Sequence, residues 1–148
     1  FIADRIRAPI EVFTEFRLPN YVNKDTLAIF SSYSGETDET LSTAKQAIEK
    51  EAKVIAICTG GRLEELFKQR QLPLYLINPK ENPSQQPRMG VGYSISSILA
   101  ILNKLEFITL DDTEFFSTIR LLGENISSFG VESPENKNLA KKLVNILV

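Results

Sequence analysis

Three hydroxyl side chains, Ser32, Ser34 and Thr37, surround Gly35 in the stretch Ser31-Ser32-Tyr33-Ser34-Gly35-Glu36-Thr37. A short apolar run precedes the stretch and a pattern of helical period follows it. Hydroxyls combined with the free N–H groups of a helix's first turn form a cradle for a phosphate, which the helix dipole favours. Gly35 would let the backbone approach the anion closely. The same residues also suit a plain turn in which Ser34 or Thr37 caps the helix. Asp38 and Glu39 fit the cap, because acids in the first turn already answer the dipole. Three hydroxyls exceed what a cap uses, and that favours the anion cradle. The spacing matches neither a Walker loop nor a GxGxxG fingerprint, so nucleotide binding has no specific support.

Arg88 is the second group of chemical interest. It sits between Pro87 and a helix start, at the end of the loop KENPSQQPR that follows Pro79. Taken by itself it reads as a solvated loop arginine. Cys58 reads as a small buried apolar residue rather than a nucleophile. The chain contains no histidine, which removes the commonest general base and the commonest metal ligand together. Zinc chemistry and Ser-His-Asp hydrolysis are thereby disfavoured, and no metal or cofactor is expected.

The elements that must position these groups can be read from apolar spacing. Thr26 to Phe30, Lys53 to Ile57 and Leu74 to Ile77 are near-continuous apolar runs, as in strands covered on both faces, and predict a parallel sheet. Between them, Leu41, Ala44 and Ile48, then Leu63, Leu66 and Phe67, recur at helical spacing. A further strand is expected over Ile10 to Phe16, with a helix remnant over Phe1 to Arg7. Gly60 and Gly61 read as a tight turn. Val91, Ile95, Ile98, Leu102 and Leu105 predict a helix, and Leu99 and Ile101 widen its apolar surface beyond one stripe. Phe115, Ile119, Leu122, Ile126 and Phe129 predict another, and Leu139, Leu143 and Leu147 begin a last one. Glu132 and Glu135 read as a solvated linker, and Lys137, Lys141 and Lys142 as a wet helix face. The fold class that follows is α/β: a three-layer, doubly wound α/β/α arrangement with a mostly parallel sheet, then C-terminal helices.

Composition bounds the function classes. A chain of 148 residues, 43% hydrophobic, suits one buried core. Seventeen basic and nineteen acidic residues leave a net charge of −2, which gives no electropositive surface for nucleic acid. One cysteine cannot form an intrachain disulfide, and no apolar run of membrane-spanning length or secretory leader is evident. A cytoplasmic protein with no nucleic-acid or membrane partner is expected.

The stretch SSYSGETDETL resembles the S-x-S-G-x-T-x-E-T-L signature of SIS (sugar isomerase) domains. The longer run TLAIFSSYSGETDETLSTAKQAIEKEAKVIAICTGGRLEEL is similar to bifunctional phosphoglucose/phosphomannose isomerases, and QPRMGVGYS resembles a second, separate segment of the same enzymes. This resemblance covers about Ile10 to Leu105. It implies that Ser32, Ser34, Gly35 and Thr37 hold a sugar phosphate and that Arg88 faces the reacting C1–C2 region. An aldose–ketose shift passes through an enediolate, whose charge a fixed guanidinium can stabilise.

The chain departs from the family at Glu36, where asparagine is usual, and in lacking a GGSG-like loop. The family's proton-transfer glutamate, ring-opening histidine and late lysine have no counterpart here. The expectation is therefore a sugar-phosphate-binding SIS domain over residues 1–130, incomplete at its N-terminus. Residues 131–148 would form a linker and the start of a helix leading to a missing second domain. The ligand implied is a hexose 6-phosphate, the parent reaction a metal-free isomerisation, the assembly a homodimer, and this chain alone is expected to be inactive. The alternatives are a non-catalytic phosphosugar-sensing module, for which the sequence offers no basic helix-turn-helix, and an assembly domain that dimerises through the helix 90–105.

Overall fold

The computed structural model describes residues 4–84 and 86–147. Three strands, β1 (Leu27–Ser31), β2 (Lys53–Cys58) and β3 (Leu74–Leu76), form a parallel sheet in the order β1-β2-β3. Leu27 stands opposite Lys53, Phe30 opposite Ala56, and Ala56 in turn opposite Leu74. Helices α1 (Asp38–Glu49) and α2 (Gly61–Gln69) make the two crossovers.

Alternation along the strands divides the core into two sides. Phe30, Val54, Ala56 and Cys58 pack with Leu41, Ala44 and Ala47 of α1 and with Leu63 and Phe67 of α2. Ala44, Ala47 and Ala56 are fully buried, and their small side chains let both helices sit close to the sheet. Phe30 and Phe67 meet edge to face, 6.2 Å between ring centres, and burying a ring such as Phe67 contributes about 1.5–3 kcal/mol. Ile57 points the other way and is also fully buried. Helices cover both sides of the sheet, so the predicted α/β class with three layers and C-terminal helices is observed. Helix α3 (Val91–Lys104) follows the sheet and buries Leu102.

Two expectations at the N-terminal side are corrected. No strand forms over Ile10 to Phe16. The carbonyl of Phe16 instead accepts hydrogen bonds from Ser42 Oγ (3.0 Å) and Gln46 Nε2 (2.7 Å), and Leu18 N donates to Gln46 Oε1 at 3.1 Å. Side chains of α1 thus satisfy backbone groups at the end of this segment, and no strand ladder forms. The helix expected over Phe1 to Arg7 falls partly outside the described residues. From Asp4 to Arg7 the chain makes turns and bends, with Arg7 N donating to Phe107 O at 3.0 Å.

The chain divides into two units between Ile108 and Thr109. The second holds α4 (Asp112–Phe129) and α5 (Leu139–Leu147). Asp111 caps α4 by accepting from Glu114 N at 2.9 Å. Asn138 is buried and joins Gly130 O to Lys141 N. Lys141 departs from the wet face expected of it, since its ammonium donates to the carbonyls of Val131 (2.6 Å) and Ser133 (2.7 Å).

Candidate functional site

The loop from Ser32 to Thr37 lies at the carboxyl end of β1, where ligands collect in open parallel sheets. Ser32 is buried and still in the ladder, its N–H donating to Ile57 O at 3.0 Å. Ser32 Oγ and Thr37 Oγ1 are hydrogen-bonded at 2.9 Å. Thr37 occupies the N-cap position of α1 with extended backbone, yet its side chain makes no capping bond. The first-turn N–H groups of α1 therefore lack the side-chain acceptor that an ordinary cap would supply. Ser34 is exposed, and its Oγ accepts from Glu36 N at 3.2 Å.

Gly35 is buried with φ +71°, a conformation that L side chains rarely adopt. A Cβ there would collide with the carbonyl oxygen of Gly60. The loop after β1 thus lies directly against the Gly60-Gly61 connection from β2 into α2, and Leu63 N donates to Gly35 O at 3.0 Å. Backbone contact of this closeness explains glycine at position 35 independently of any ligand.

Glu36 and Arg62 complete this junction, and sequence reasoning missed the pairing. Glu36 Oε1 accepts from Arg62 N at 2.8 Å, and Glu36 Oε2 accepts from Arg62 Nε at 2.6 Å. Arg62 Nη2 also donates to Asp38 Oδ1 at 2.9 Å and to Glu36 O at 2.9 Å. The bonds from Arg62 hold the Glu36 carboxyl below its ordinary range. Two carboxylates that would oppose an anion in the cradle are instead engaged by one guanidinium. Residues 36 and 62 lie 26 positions apart, and only the adjacency of β1 and β2 brings them together.

Arg88 lies in a short 3-10 turn, Pro87–Gly90, and is exposed. Among the described residues its side chain makes no hydrogen bond or ion pair, including to Ser32, Ser34 or Thr37. Its loop nevertheless touches the cradle loop through Tyr33. Asn82 Nδ2 donates to Tyr33 Oη at 2.8 Å, and the backbone of Gly90 packs so closely on the Tyr33 ring that a Cβ there would overlap it. Cys58 is buried, and burial pushes its thiol up, which suits a packing role. No group of three potential metal ligands from His, Cys, Asp and Glu is found among the described residues. No helix among them is long and apolar enough to cross a membrane.

Comparison with known proteins follows the same lines. The SIS domain family matches residues 15–104. The chain is 40% identical over 144 residues to a bifunctional phosphoglucose/phosphomannose isomerase of Caldicellulosiruptor bescii, covering 97% of this chain and 41% of that protein. It is 32% identical over 130 residues to the enzyme of the same name from Aquifex aeolicus, covering 88% and 38% respectively. A glutamine–fructose-6-phosphate aminotransferase of Fusobacterium nucleatum is 34% identical over 149 residues, covering 93% of this chain and 24% of that protein. The chain thus spans about two-fifths of the length of the isomerases it matches. No solved structure matches. With the parallel sheet, the hydroxyl-rich loop after β1 and a family match over most of the first unit, the chain belongs to the SIS domain family and is homologous to bifunctional phosphoglucose/phosphomannose isomerases.

Proposed function

We propose that this chain is the sugar-phosphate-binding part of an aldose–ketose isomerase that interconverts glucose 6-phosphate or mannose 6-phosphate with fructose 6-phosphate. The observation that carries the reading is the hydroxyl pair Ser32–Thr37 at the start of α1, where Thr37 stands at the cap position without capping. The phosphate would sit on Ser34, Thr37 and the first-turn N–H groups, with Ser32 holding Thr37 in place and Gly35 giving the backbone its close turn. Names of the relatives, two of them isomerases acting on phosphosugars, support the choice of ligand.

In the forward direction a carboxylate base removes the proton on C2 of the aldose and returns it to C1, while the hydroxyl proton passes from O2 to O1. No net oxidation occurs and no metal or cofactor is required. Arg88 stabilises the negative charge of the enediolate between the two transfers. This chain supplies the anchor and the guanidinium. None of its glutamates lies in a segment like the family's catalytic one, so we place the base outside it and expect the isolated chain to bind without turnover. The protein would work as a cytoplasmic homodimer. The half-exposed apolar residues Val91 and Ile95 of α3 favour that assembly.

The test is calorimetric titration of fructose 6-phosphate into this chain, together with a coupled isomerase assay on the chain and on the full-length protein. Binding by both, with turnover confined to the longer form, is the expected result. Absence of phosphosugar binding by both would overturn the reading.

A further inference from the structure

Tyr33 lies between Ser32 and Ser34 in the chain, yet its ring and hydroxyl meet the loop that carries Arg88. Its carbonyl accepts from Thr59 N (2.8 Å) and Thr59 Oγ1 (2.7 Å), which fixes the backbone of the cradle to the end of β2. Its ring lies under Gly90, and its hydroxyl meets Asn82, 49 positions away. We propose that Tyr33 and Asn82 are positioning residues that hold the loop of Arg88 against the phosphate cradle.

The hydrogen bonds around Asn82 give the contact a direction. Asn82 Nδ2 lies 3.0 Å from Gln86 O, and a carbonyl can only accept, so this atom is the donor nitrogen. The same nitrogen therefore donates to the Tyr33 oxygen, and Ser84 Oγ donates to Asn82 Oδ1 at 2.7 Å. Asn82 is 4% exposed and its amide is engaged on both ends. Removing the Tyr33 oxygen would take one of two acceptors from a buried donor. Met89 N donates to Gln86 O at 3.0 Å, so Gln86 O links Asn82 directly to the 3-10 turn of Arg88. Tyr93 Oη donates to Glu81 O at 2.7 Å and ties the loop's beginning to α3.

Among the described residues the Arg88 side chain has no hydrogen-bond or ion-pair partner that would orient it, so its placement depends on its backbone. A long side chain hung from a wandering loop loses the fixed geometry that charge stabilisation needs, and small misplacements cost large factors in rate. Tyr33 joins the two halves of the site because it is part of the cradle strand-to-helix loop and the floor of the Arg88 turn. Only the role given to Arg88 rests on the isomerase reading. The Tyr33–Asn82–Gly90 contact stands without it.

The experiment compares Tyr33→Phe, Arg88→Ala and the double variant in the full-length protein. Tyr33→Phe keeps the ring under Gly90 and removes only the hydroxyl. We expect it to lower kcat for fructose 6-phosphate about tenfold while inorganic phosphate affinity stays within about twofold. In the Arg88→Ala background the same change should cost less than about twofold, since its effect runs through that arginine. Additive effects, or a loss of phosphate affinity as large as the loss of kcat, would overturn the proposal. Amide hydrogen exchange supplies a readout without turnover: Tyr33→Phe should speed exchange of the Met89 amide about tenfold relative to amides of α1. An unchanged loop overturns the proposal whether or not the protein is an isomerase. A wild-type protein without turnover, whose loop does loosen, overturns only the isomerase reading.

Discussion

The hydroxyl of Thr37 is hydrogen-bonded to that of Ser32 at 2.9 Å, although Thr37 occupies the position from which a threonine normally caps its own helix. The side chain turns to the neighbouring loop, where its oxygen can accept from Ser32 and leave its own proton to donate elsewhere, and the start of α1 has no side-chain cap from Thr37. An ordinary capping turn would instead direct that side chain at the N–H groups of its own helix. Had Thr37 capped the helix, its replacement would act mainly on stability.

Thr37→Ala should weaken fructose 6-phosphate binding roughly ten- to a hundredfold, the loss of one charge-assisted hydrogen bond. Its effect on unfolding should stay under about 1 kcal/mol. Thr37→Ser should restore most of the affinity. Calorimetric titration and thermal unfolding on the same samples check both halves. An unchanged affinity with a lowered melting temperature would return Thr37 to a structural role.

Gly35→Ala places a methyl group against the Gly60 carbonyl while the backbone stays in the left-handed region. Strain and overpacking together should cost about 2–4 kcal/mol. For a chain of this length that lowers Tm by roughly 5–15 °C, measurable by circular dichroism. A melting curve superimposed on that of the wild type would contradict the close approach of the two loops.

Glu36 contributes a pH dependence of known sign. Its folded carboxyl titrates below the ordinary value because Arg62 donates to it. A group with a depressed folded pKa stabilises fully above its unfolded value and loses that contribution as pH falls through the folded one. Glu36→Gln should therefore lower stability by an amount that is constant above roughly pH 6 and shrinks on acidification below the ordinary carboxylate range. Both partners are exposed, so the difference should also shrink with added salt. Denaturant titrations across pH check this, and a difference as large at pH 3 as at pH 7 would rule it out.

On α3, Val91 and Ile95 are 52% and 55% exposed on adjacent turns. If this face meets a second copy, Ile95→Asp should shift sedimentation toward monomer and remove the dependence of Tm on protein concentration. A wild-type protein that sediments as a monomer at high concentration would remove the basis for a dimer through α3.

The strands were legible because each is a short apolar run, the pattern that burial on both faces imposes, although in β3 Tyr75 and Leu76 remain exposed. The helices were legible from their spacing. Ile10 to Phe16 misled because β-branched and aromatic residues describe a fit to a pleated, half-buried surface, and whether such a surface is available depends on the rest of the fold. Ser42 and Gln46 supplied the backbone partners instead. At the site, Ser32, Ser34, Gly35 and Thr37 could be read as one group because they are contiguous. Arg62 and Asn82 could not, since their partners lie 26 and 49 residues away and nothing in local spacing encodes a meeting across strands. Lys141 was hidden for the opposite reason: a charged residue at a helical spacing looks solvated until its loop folds back on it.

The placement of Glu36 bears on how many anions this edge of the sheet can accept. Parallel strands joined by right-handed crossovers bring α1 and α2 to the same edge with the same polarity, so both offer a positive end there. The Glu36 carboxylate already rests on the N–H of Arg62 in the first turn of α2, as a resident anion covalently supplied by the chain. The start of α1 has no such side-chain acceptor from its N-cap residue Thr37. On the phosphosugar reading proposed above, a chain whose second helix start already carries its own carboxylate would take one phosphate, at the start of α1, and a measured stoichiometry of two would contradict it.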